Sequence, residues 1–275
     1  MNKSSASGLM KVTIPEMAVL LLLVAALAAS AQTQPERYVC HRAASPVNVD
    51  GRLDDSEWRN APWTPAFVDI EGSAKPSPRF RTRAKILWDD QYFYVAAELE
   101  EPHVWGTLTE HDSVIFRDND FEVFLNPSGD GRNYFEFEIN ALNTGWDLFL
   151  PKPYREGGKA DNSWEIPGLK TAVAIDGTLN NPADRDRGWT VEIAIPWTAF
   201  ASRAPVRRPA AGDEWRVNFS RVEWHTEIRD NRYVKVPGLK EDNWVWSPQG
   251  VINMHVPDKW GYVRFSGDAA SPGIK

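Results

Sequence analysis

Two strings of the chain put carboxylates two residues apart: DFEVFLN (120–126) and NYFEFEIN (133–140). In the first, Asp120, Glu122 and Asn126 alternate with Phe121, Val123 and Leu125. In the second, Glu136, Glu138 and Asn140 alternate with Phe135, Phe137 and Ile139. Side chains two apart on an extended chain share a face. Pairing the two strings through the turn PSGDG would therefore set rows of carboxylates side by side, where they repel unless water, a cation or hydrogen-bond donors intervene. Three chemistries use such a row. One is acid/base cleavage of a glycosidic bond, whose two carboxyls stand roughly 5 or 6.5–9.5 Å apart. A second is cation binding: RDND (117–120) and GDG (129–131) add oxygen donors, which makes Asp118 and Asp120 candidate calcium ligands. The third is hydrogen bonding to a polyhydroxylated ligand. A plainly wetted sheet face is the alternative to all three.

Other familiar chemistry is missing. There is no G-x-S-x-G, H-E-x-x-H, Walker loop or dinucleotide fingerprint. The five histidines (41, 103, 111, 225 and 255) are scattered, with none paired at metal-ligand spacing, which argues against zinc. The 13 tryptophans are more numerous than a core of this size requires. Trp105, Trp146, Trp164, Trp224, Trp244 and Trp246 lie in or beside polar loops and are candidate stacking platforms, whereas Trp58, Trp88, Trp189, Trp197, Trp215 and Trp260 fall inside apolar patterns and read as core.

The elements that must position these groups are short and extended. AKILW and YFYVAAEL, separated by Asp89-Asp90, read as a hairpin within 79–101. Further strands are expected at 119–126, 133–141, 146–150, 188–197, 214–224 and 260–265. Short helical turns are expected at 54–58, where Asp54 and Glu57 could form a capping box, and at 196–200, with Pro196 at a first helical position. This pattern predicts an all-β sandwich or barrel with one or two short helices, forming one domain over 32–265 and followed by a disordered tail at 266–275.

Ahead of it, Lys3 and Lys11 precede the apolar run 17–29 and the triplet Ala29-Ser30-Ala31, the layout of a signal peptide cleaved after Ala31. The run is shorter than the roughly 20 residues that span a bilayer, so export to the periplasm or exterior is expected, without stable membrane insertion. The net charge of −7 argues against nucleic acid as a partner. A single cysteine, Cys40, excludes an internal disulfide.

The order VNVDGRLDDSEW (47–58), AKILWDDQYFYVAAELEEP (84–102), DNDFEVFLNP (118–127), YFEFEINALNTGWD (134–147), GWTVEIAIPW (188–197), GDEWRVNFSRVEW (212–224) and PDKWGYVRF (257–265) resembles family 9 carbohydrate-binding modules. The resemblance implies a jelly-roll-like β-sandwich of two antiparallel sheets, a non-catalytic role in sugar binding beside plant-polysaccharide hydrolases, and structural calcium. It also implies a sugar clamped by two tryptophans, with a strand glutamate and an arginine bonding its hydroxyls. The strand glutamate corresponds to Glu122. The clamp positions fall on Phe116 and Met254, and the arginine position on Glu138, so one role in four is kept. Trp105, Trp146 or Trp246 could replace the lost indole, His255 could join Met254 in an apolar wall, and Arg221 or Arg117 could balance the acids, with Asn140 beside them. The expected function is thus binding of a poly- or oligosaccharide in support of glycoside hydrolases. The alternatives are a haem b electron-transfer sandwich, with Met254, His255 and Lys259 as available ligands, and a hydrolase or lyase using the acidic strands.

Overall fold

The computed structural model describes residues 34–203 and 206–271, so the leader expected at 1–31 and the end of the expected tail lie outside the described residues. Alternating sequence gives strands: β1 (Arg37–Arg42), β2 (Val68–Asp69), β3 (Thr82–Trp88), β4 (Tyr92–Glu100), β5 (Asp120–Asn126), β6 (Tyr134–Asn140), β7 (Gly145–Leu150), β8 (Lys170–Asp176), β9 (Gly188–Pro196), β10 (Glu214–Glu223), β11 (Thr226–Arg229), β12 (Arg232–Lys235), β13 (Asp242–Val245) and β14 (Gly261–Ala269). All but the β11–β12 hairpin join one curled sheet in the order β7-β6-β5-β10-β14-β1-β3-β4-β9-β8, with β13 also on β10 and β2 on β13.

The curl makes two layers. Phe121, Val123 and Leu125 of β5 and Phe135, Phe137 and Ile139 of β6 share one core with Ile86 of β3, Phe93, Val95 and Leu99 of β4, and Val191 and Ile193 of β9. The expected sandwich is present, but its two halves are hydrogen-bonded into one sheet through β1, which runs parallel to both β14 and β3. The last strand continues to Ala269, into the segment expected to be disordered.

YFYVAAEL is apolar on both faces because both faces are covered. Behind the core, Leu87, Tyr94, Ala96 and Ala194 pack under Trp58 and Ala61, carried by the helix α1 (Ser56–Asn60) and the residue that follows it. Glu192 fixes that cover by accepting hydrogen bonds from Trp58 Nε1 and from the Asp50 and Gly51 amides. The capping box is not formed. The helix starts at Ser56, and Glu57 accepts from the Ser45 and Ser56 hydroxyls. Among the described residues no helix is long and apolar enough to cross a membrane.

Candidate functional site

The β5–β6 register fixes which acids meet. Asp120 stands opposite Asn140, Glu122 opposite Glu138, and Phe124 opposite Glu136. Ser220 of β10 flanks Glu122 on one side, and Trp146 of β7 flanks Glu138 on the other. This outer face is not wetted. Its far end is sealed by Ile70, Phe124, Tyr134, Leu148, Leu150, Val245, Met254 and Trp260, an apolar cluster that no period-two pattern displays. Asp120 is fully buried, and Glu138, Glu136 and Glu122 are only 2%, 4% and 5% exposed.

Four carboxyls in so dry a place cannot all ionise. Burial pushes Glu122 up to about 7. Burial, and after it the neighbouring Glu122, pushes Asp120, Glu136 and Glu138 well above the carboxylate range. Among the described residues, no ion pair involves any of the four. Asp120 Oδ1 accepts from the Val222 amide and Glu138 Oε2 from the Phe116 amide, at 3.0 Å each, while Asp120 Oδ2 and Glu136 Oε2 have no hydrogen-bond partner. Burial thus favours the protonated form of these carboxyls, in which they donate as well as accept hydrogen bonds.

Aromatic rings stand at its edge. Phe116, on a single 3-10 turn (Ile115–Arg117), is 40% exposed, and its ring lies 6.3 Å from that of the half-buried Trp146 at an interplanar angle of 34°. Trp224 Nε1 donates to the Phe116 carbonyl and steadies the turn. Tyr154, exposed, lies close enough for Glu136 and Glu138 to raise its hydroxyl pKa, after burial as the larger cause. Tyr154 was missed in the sequence. Its signal was an aromatic inside the polar loop KPYREGGK.

The structure thus brings together Phe116, Asp120, Glu122, Glu138 and Trp146, with Asn140 behind them. It does not bring the other expected residues there. Arg221 is fully buried on the opposite face of β10 from Ser220, bonded to Glu101 and Glu223 at 2.8 and 2.7 Å, so it cannot balance Glu122. Trp246 is a core residue between Tyr38 and Phe219. Trp105 is buried, with Lys235 between it and Trp224. Met254 is packed beside Trp260, and His255 is wedged among Phe124, Tyr134 and Tyr154, which does not fit a haem between them. Asp118 and Asp120 do not fit a shared calcium site either. Asp118 is saturated by the Thr107 amide and hydroxyl, the Leu108 amide and Asn140 Nδ2, while Asp120 groups with Glu122 and Glu138. A cavity of about 890 Å³ lies elsewhere, at the ends of β4, β8 and β9. Exposed pairs such as Arg81–Glu98 and Arg187–Asp176 already neutralise its walls, so the acid–aromatic group is the better candidate.

A family model described as "Carbohydrate family 9 binding domain-like" matches residues 49–222. The chain is 24% identical over 152 residues to Exoglucanase XynX of Acetivibrio thermocellus, covering 55% of this chain and 12% of that one. It is 26% identical over 152 residues to Endo-1,4-beta-xylanase A of Thermoanaerobacterium saccharolyticum, covering 55% and 11%. The chain therefore spans about a tenth of the length of these relatives. In fold it is similar to a family 9 carbohydrate-binding module from Caldicellulosiruptor kristjanssonii in complex with cellotriose, with TM-score 0.55, 19% identity, and coverage of 87% of this chain and 100% of that one.

Proposed function

The chain belongs to the carbohydrate family 9 binding domain-like family, and from that premise we propose that it binds a poly- or oligosaccharide at the acid–aromatic group. The observation that carries the proposal is the tilted Phe116–Trp146 pair beside the buried carboxyls of Glu122 and Glu138. A sugar ring offers C–H faces to aromatic rings and hydroxyls that act as both donors and acceptors. Phe116 and Trp146 supply the first kind of contact, and Glu122 with Glu138 the second. The role is non-catalytic, in an exported protein that supports glycoside hydrolases. The xylanase and exoglucanase matches favour plant cell-wall glucans and xylans as ligands.

Glycan-array binding of the protein, run with and without chelator, tests this reading. Phe116→Ala and Trp146→Ala should each weaken binding roughly tenfold, as expected for loss of one stacked ring. Unchanged affinity in both variants would reject the site. Release of reducing ends or unsaturated products that Glu122→Gln abolishes would replace the binder with an enzyme.

A further inference from the structure

A second group of ligating side chains lies on the other side of β7. His111 Nε2 stands 3.4 Å from Asp112 Oδ1, 3.5 Å from Asp147 Oδ1 and 3.1 Å from Glu165 Oε2. Ligand atoms of His111, Asp112 and Asp147 all lie within 4.8 Å of one another. A tetrahedral ion bound at about 2.0–2.2 Å has ligand–ligand edges of about 3.3–3.6 Å. Two of the three measured separations fall in that range, and the third, to Glu165, lies just below it.

Three further observations point to a ligand. Asp147 is 1% exposed, on the core-facing side of an edge strand, and neither of its oxygens has a hydrogen bond of good geometry, the Ile166 amide and His111 being its polar neighbours. A buried carboxylate left in this state is costly unless a cation meets it. Asp112 Oδ1 is likewise buried and unpartnered. Finally, His111 Nδ1 lies 3.0 Å from the Gly145 carbonyl. A carbonyl only accepts, so Nδ1 carries a hydrogen; Nε2, hydrogen-bonded to Glu165 Oε2 at 3.1 Å, faces the three carboxyls and would give up its own proton to a bound ion. Metal-bound histidines are oriented in this way.

We propose that His111, Asp112, Asp147 and Glu165 form a binding site for a first-row divalent cation, with Zn²⁺ the best match to the one-nitrogen, three-oxygen donor set. The ligands come from the loop before the Phe116 turn, from β7 and from the loop around Trp164, so the ion would tie three segments together. No pair within one segment has metal-ligand spacing, which is why the histidine pattern argued against zinc.

The test uses untagged full chain stripped with chelator and titrated calorimetrically with ZnCl₂. One equivalent should bind. His111→Ala and Asp147→Asn should each weaken binding at least tenfold, and Co²⁺ should give the intense visible absorption of a four-coordinate site, lost in the same variants. His111 is exposed, so its variant decides the matter if Asp147→Asn does not fold. Zinc binding that is absent from the wild type, equal in wild type and both variants, or abolished by equimolar Ca²⁺ would overturn the proposal.

Discussion

Glu122 is the residue at which the acid group meets the pH scale. Its carboxyl titrates at about 7 in the folded chain, against an ordinary 4.5. Between those values the native state holds a proton that the unfolded chain has released, so stability falls as pH rises through the window and levels off above it. The difference amounts to roughly 3 kcal/mol at pH 8. Chemical denaturation should therefore find the wild type more stable at pH 5 than at pH 8. Glu122→Gln, which cannot ionise, should flatten the part of that slope between pH 5 and pH 7. An unchanged slope would mean that Glu122 is already ionised when folded.

At the scale of elements, the paired strands were largely legible. The Asp89 turn forms as read, its carboxylate accepting from the Gln91 and Tyr92 amides, and the β5–β6 alternation gives the register. β1, β2, β8, β11, β12 and β13 escaped notice because short or weakly alternating segments such as KTAVAID resemble loop. The placement of Arg221 could have been read correctly. It shares parity with Val217 and Phe219, both in the core, and therefore could not lie beside Glu122 on the other face. The burial of the acids could not have been read, since their cover comes from residues 245–260 and from Ile70, far away in the chain. The β6–β7 approach carries its own test. A Cβ on Gly145 would lie 2.7 Å from the Phe137 ring, so Gly145→Ala should cost roughly 1–3 kcal/mol in a denaturant titration.

For the whole molecule, Arg221 joins parts of the chain that lie far apart. Its guanidinium donates to Glu101, Glu223, Thr82 Oγ1 and the Glu100 carbonyl, linking β10 to both strands of the β3–β4 hairpin. Glu223, raised to about 8 chiefly by burial, depends on that cation. Arg221→Ala would leave two buried carboxyls facing each other, and should lower global stability by roughly 3–5 kcal/mol, visible as a fall in Tm. The structure thus assigns this arginine to the integrity of the domain, and a variant that lost sugar affinity while keeping its Tm would contradict it. The position of β1 has a temporal consequence. Its neighbour β14 comes latest in chain order among the described strands of the domain, so both β1 and β10 wait with an unsatisfied edge until Gly261–Ala269 has been made. Closure is then slow, as for other chains whose partners are distant in sequence, and a nascent chain halted before Gly261 would offer those edges to any passing strand.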